Sequence, residues 1–320
     1  MSDDLLPPQD DLPLNQEEAR DPLAVGMDTP GVLAHGANIT QKENHRTKYR
    51  DRQSRQFIAE IRAKYDVWHQ QNIQLKGPGK TPDQNDKEII RKRVKLFSDY
   101  KDFIDLRRYA ECFDSRSNLH SSVLEEFIYY LFRDMIDDFR GVPLVGKSST
   151  FKDLFFMPGN YAQMLTNPSV RIERKNHDFV IGATYNMELA PKGVRSVEKH
   201  ALEVPAVAIE CKTYLDKTML EGSSGAADQL KARNPNALYI VVMEWLKLTD
   251  AINIKKYRVD QIYVFRKQKN TDREFRYEES YVKNPIDPDV VFHLYEYVRN
   301  HLTRPWGGGV ETGLQRGYLL

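Results

Sequence analysis

Residues 236–246, NALYIVVMEWL, constrain this chain more than any other segment. The run is apolar at almost every position, whereas a strand with one wet face alternates apolar and polar residues. It reads as a strand buried on both faces. RIERKNHDFVIGATYNMEL (171–189), VPAVAIECKTYL (204–215) and DQIYVFRK (260–267) read as further strands, with GSSG (222–225) opening a short helix at 226–233. Helical stripes precede them. Phe57, Ile58, Ile61, Tyr65 and Trp68 recur at three and four within 46–74, and Leu119, Val123, Phe127, Tyr130 and Leu131 within 118–140. From Asp86 a further helix turns Ile89, Ile90, Val94, Leu96, Phe97 and Phe103 inward, and Arg91, Lys92, Arg93 and Lys95 largely outward. Ser122 and Glu125 have capping-box spacing. Asp287 caps a last helix with Pro288 at its first position. Residues 141–170 are broken by Pro143, Pro158, Gly159 and Pro168 and are read as mixed. The expected fold is α/β: a mixed central sheet flanked by helices, with a helical N-terminal region.

At 320 residues and 40 % hydrophobic composition the chain can bury a sizeable core in one large domain or two. Mean hydropathy of −0.62 and 29 % charged residues describe a wet surface. No uncharged apolar run approaches the ~18–20 residues that span a bilayer. Two cysteines, Cys112 and Cys211, make neither a disulfide framework nor a four-thiolate zinc site, and with an acidic, proline-broken start they suggest a reducing cytoplasm.

The net charge of +1 hides a split. Residues 1–40 carry eight acids against one base, residues 46–108 carry 17 Lys and Arg against nine acids, and 109–320 balance. The expected organisation is a disordered acidic arm (1–45), a basic helical DNA-binding region (46–112), a core (113–304) and a flexible tail (305–320). Arg91, Lys92 and Lys95 are the candidate phosphate contacts, because Arg91 and Lys95 share a helical face with Lys92 near its edge. The competing reading is a solvated surface that binds nothing. Gly79-Lys80-Thr81 resembles the end of a P-loop, but Gln74 stands where the first glycine belongs and Pro82 follows, so nucleotide binding is rejected. No histidine or cysteine spacing suits zinc.

The chemistry lies in VAIECK, 207–212. Alternation along a strand turns Val207, Ile209 and Cys211 to one face and Ala208, Glu210 and Lys212 to the other, with the two charges about 6.7 Å apart along the strand. Unpaired charges in an apolar strand are expensive. Asp178 heads the apolar DFVIGA, 32 residues earlier, and pairing the two strands brings it to Glu210. Two carboxylates offer hard oxygen donors for Mg²⁺, and a neighbouring lysine can serve a water or a developing phosphorane charge. The bland alternatives are pairing of Asp178 with Arg174 or Lys175, and a surface ion-pair ladder at Glu210–Lys212.

This arrangement resembles the PD-(D/E)XK nuclease superfamily, in particular its type II restriction endonucleases. Asp178 stands at the first acidic position, and Glu210-Cys211-Lys212 at the E-x-K. His177 replaces the usual proline. The downstream helix and buried strand follow the family's order, and LEEFIYYLF (124–132) offers Glu125 or Glu126 as the upstream helical glutamate; a helix acid favoured by the macrodipole is the plain alternative for both. The resemblance covers about 118–246. It implies a restriction-endonuclease-like core with catalytic Asp178, Glu210, Lys212 and Glu125 or Glu126, of which Asp178 and Glu210 hold Mg²⁺. It further implies cleavage of double-stranded DNA to 5′-phosphate and 3′-hydroxyl ends, action as a homodimer or heterodimer, and a partner DNA methyltransferase. A structure-specific repair or junction nuclease and a non-catalytic DNA-binding protein are the alternatives.

Overall fold

The computed structural model describes residues 33–113, 117–269, 280–307 and 309–317. Among the described residues, four helices come first: α1 (Ala34–Glu43), α2 (Arg52–Gln74), α3 (Asp86–Ile104) and α4 (Arg107–Cys112). Then follow α5 (Ser122–Asp137), β1 (Leu144–Phe156), α6 (Tyr161–Met164), β2 (Val170–Leu189), β3 (Glu198–Leu215), α7 (Lys217–Arg233), β4 (Leu238–Leu246), β5 (Gln261–Val264), α8 (Pro288–Thr303) and α9 (Gly309–Arg316). The sheet order is β1-β2-β3-β4-β5. β1, β2 and β3 run antiparallel in turn, while β3–β4 and β4–β5 are parallel. The sheet is mixed and helices flank it, as expected.

β4 is the centre of the core. Tyr239 to Met243 are almost fully buried, because α7 covers one face of the sheet and α2, α3, α5 and α8 the other. β3 divides between these layers by alternation. Val207, Ile209 and Cys211 join the large helical cluster, and Ala208 joins the α7 cluster. The large cluster runs without a break from Ile58, Trp68 and Phe97 to Phe127, Ile209 and Val298, so the N-terminal helices share their core with the sheet.

Several elements depart from the sequence reading. Of the arm expected to be disordered over 1–45, residues 1–32 lie outside the described ones, and 34–43 form α1. Its Ile39 is buried, and Gly36 lies so close to Tyr65 that a Cβ would stand 2.2 Å from the phenol oxygen. Arg93 points inward rather than outward. It is 0 % exposed and donates to the carbonyls of Gly77 and Leu75 at 2.9 and 2.6 Å, pinning the loop that mimics a P-loop. The turn GSSG lies inside α7, which Asp216 caps through the Met219 N–H at 2.8 Å. Burial of Leu220, Ala226, Ala227 and Leu230 against the sheet offsets the ~1 kcal/mol that each helical glycine costs. The Ser122–Glu125 capping box does not form, since the Ser122 hydroxyl meets the Leu119 carbonyl and His35. Residues 144–156, read as part of a mixed region, are the edge strand β1, and 309–316 of the expected flexible tail are helical.

Candidate active site

The register of β2 on β3 sets Phe179 against Ile209 and Val180 against Ala208, so the next pair in line is Asp178 and Glu210. The ladder stops there. In place of the next backbone partner, the Asp178 carboxylate accepts the Cys211 N–H at 2.9 Å. The Lys212 ammonium lies 2.6 Å from Glu210 Oε1 and 3.5 Å from Asp178 Oδ2. A second irregularity aims Asp178. Between Gly146↔Val180 and Ser148↔His177, β2 advances three residues while β1 advances two, so Asp178 and Phe179 oppose Lys147 alone. Such bulges re-aim side chains at a sheet edge.

Glu125 and Glu126 diverge because successive helical residues point about 100° apart. Glu125, 8 % exposed, faces the site and takes Lys147 Nζ at 3.1 Å on Oε2. Glu126 is fully buried elsewhere. Its Oε2 accepts the backbone N–H groups of His35 and Gly36, each at 2.9 Å, and its Oε1 accepts the Tyr130 hydroxyl at 2.7 Å. It caps the N-terminus of α1, where the helix dipole favours a carboxylate. Of the two glutamates left as alternatives, Glu125 is therefore the one beside Lys147, while the Glu126 carboxylate is consumed by α1.

Three carboxylates and two lysines thus meet in one place. Burial and the Glu210 charge push the Asp178 carboxyl above its ordinary range, against the pull of Lys212. Burial and Asp178 likewise raise Glu125, against Lys147. Burial disfavours the Lys212 ammonium, but Asp178 and Glu210 outweigh it, so its pKa is raised. Lys147 behaves the same way toward Glu125. His177, next to Asp178, is buried edge-on to Tyr239 at 5.7 Å, and burial lowers its pKa to about 4.

Among the described residues, no three His, Cys, Asp or Glu side chains form a set able to hold a metal ion. Mg²⁺ needs no such set, since it keeps several waters and takes one or two protein carboxylates with a phosphate. Asp178 and Glu210 share one lysine, so two carboxylates meet a single ammonium. Hard oxygen donors in a site short of positive charge fit that ion.

Two site residues escaped the sequence reading. Tyr239 directs its hydroxyl to Glu210 Oε2 at 3.3 Å. A tyrosine within a buried run needs a partner for its hydroxyl, and that was the signal to follow. Lys147 carries no comparable signal, because its place depends on the bulge. Arg91, Lys92 and Lys95 are exposed on α3, as expected, at 3.9 Å from Glu88 for the first two and 2.7 Å from Asp99 for Lys95. Much of the surrounding basic excess is spent internally: Arg93 on Asp134, Lys101 on Asp105 and Glu244, and Arg108 on Glu60.

The fold is similar to that of a solved structure. The structure described as "native BbvCI A2B2 tetramer at low resolution" matches with a TM-score of 0.64 over 86 % of this chain and 98 % of that chain, at 20 % identity. Residues 116–319 match the Bpu10I restriction endonuclease family, and the chain belongs to that family of nuclease hydrolases. No curated protein matches the sequence.

Proposed function

We propose that the chain is a Mg²⁺-dependent type II endonuclease of PD-(D/E)XK character, which hydrolyses double-stranded DNA at specific sites and leaves 5′-phosphate and 3′-hydroxyl ends. The observation that carries this reading is the meeting of Asp178, Glu210 and Lys212 where β2 and β3 part, in a chain of a restriction endonuclease family. Asp178 and Glu210 would hold Mg²⁺, which when bound supplies Lewis acidity and lowers the pKa of a water. The chain's own groups do the remainder. Lys212, placed beside both carboxylates, orients the attacking water and offsets charge building on the phosphoryl oxygens. Tyr239 fixes the Glu210 carboxylate from behind. Glu125 adds a third carboxylate on the α5 side and holds Lys147.

Arg91, Lys92 and Lys95 of α3 would grip the DNA backbone. One centre cuts one strand, so two centres are needed for a double-strand break. The matched structure is an A2B2 assembly, which supports a homodimer or a pairing of this chain with a second kind of subunit. No described helix is long and apolar enough to cross a membrane. A cytoplasmic restriction role beside a DNA methyltransferase is the biology this reading implies. Incubation with mixed plasmid DNA tests it. Mg²⁺-dependent discrete bands are expected. Cutting only at junctions or damaged DNA would favour a repair nuclease, and binding without cutting a non-catalytic protein.

A further inference from the structure

Lys147 stands in an unusual position for a lysine that pairs with a buried acid. Its side chain is 47 % exposed, while the Glu125 it reaches is 8 % exposed. It therefore spans the mouth of the site, with its stem in solvent and its ammonium against a carboxylate inside. The bulge fixes this placement, since Lys147 is the single β1 residue opposite Asp178 and Phe179. Its charge acts on Asp178 as well as on Glu125. An ammonium has three N–H donors, and the bond to Glu125 at 3.1 Å uses one. Two donors remain beside the carboxylates where the proposed reaction takes place. The ion pair also restrains a side chain that would otherwise lose much rotamer freedom on meeting a ligand.

We propose that Lys147 is a second substrate-binding lysine of this site, donating to a non-bridging oxygen of the DNA backbone at its mouth. Glu125 anchors it, Lys212 serves the interior, and Lys147 takes the phosphate from the open side. The inference rests on the nuclease reading, because it requires DNA to enter here.

The test is equilibrium binding of a short DNA duplex to the full chain without Mg²⁺, over a range of salt. Leaving one phosphate without its cation lowers the salt slope by about 0.9, or roughly eightfold in affinity near 0.1 M salt. Lys147→Gln is expected to show that reduction, and Lys147→Arg to keep the slope. Lys199→Gln, paired with Glu188 near the far end of the β2–β3 hairpin, serves as the control for general charge. Thermal melts confirm that each variant is folded. An unaltered slope in Lys147→Gln overturns the proposal. So does an equal reduction in Lys199→Gln, which would make the effect non-local. Wild-type protein that binds no duplex overturns the nuclease reading itself, whereas wild-type binding with an unchanged Lys147→Gln overturns this phosphate interaction alone.

Discussion

Glu125 and Glu126 are adjacent in sequence, and the structure assigns them opposite consequences. Glu126→Ala removes the acceptor for two backbone N–H groups at the start of α1 and for the Tyr130 hydroxyl. Each orphaned buried donor costs about 1–3 kcal/mol, which gives about 2–6 kcal/mol for the two amides. Removing the buried carboxylate, whose pKa burial pushes up, returns part of that cost and moves the expectation to about 2–4 kcal/mol. For a chain of this size the melting temperature should fall by roughly 3–6 °C. Glu125→Ala removes an acid that is buried and repelled by Asp178, and it frees a half-exposed lysine to water. Its melting temperature should stay within about 2 °C of wild type. Activity should show the reverse order, measured as Mg²⁺-dependent plasmid cleavage below both melting points. Glu125→Ala should lose most cleavage, and Glu126→Ala should retain it. A larger melting loss for Glu125→Ala, or lost cleavage with an unchanged melt for Glu126→Ala, would refute this assignment of the two faces of α5.

Arg93→Gln leaves the carbonyls of Leu75 and Gly77 and the Asp134 carboxylate short of a partner, so urea denaturation should show a loss of about 3–5 kcal/mol. Burial holds His35 well below its ordinary 6.5, so the unfolded chain takes up a proton there that the folded chain refuses, and stability should fall as pH drops below about 6.5. Glu126 acts with the opposite sign: its raised pKa keeps a proton on the folded chain that the unfolded chain has lost, and that contribution fades as pH rises through the folded value. His35→Gln should flatten the first slope in melts across pH 5–7 and leave the second. Replacing Arg91, Lys92 and Lys95 together by Gln should weaken duplex binding and lower the salt slope by about 0.9 for each phosphate that is no longer neutralised, and unaltered binding would make the α3 face only a solvated surface.

What was legible in the sequence was whatever depends on period and burial. Alternation in 207–212 placed Cys211 in the helical core and Glu210 with Lys212 on the other face, and the apolar run at 238–246 located the central strand. Charge alone misled. Glu244 also interrupts an apolar strand, yet it pairs with buried Lys101 and Arg266. Arg93 looked like a surface residue because its neighbours are, while its partners are loop carbonyls that no pattern reveals. Lys147 depends on one extra residue in β2, which local composition does not show. Glu125 and Glu126 were indistinguishable until the N-terminus of α1 was seen resting on Glu126.

The central claim is that Lys212, set between Asp178 and Glu210, performs the chemistry. Lys212→Ala measures it most directly, with wild type and variant compared for Mg²⁺-dependent plasmid cleavage and, in parallel, for melting temperature and duplex affinity. The side chain is 28 % exposed and fills no core volume, so the fold and DNA binding should persist while cleavage is abolished. A folded variant that cuts within a few-fold of wild type would contradict the claim and move the active site elsewhere in the molecule.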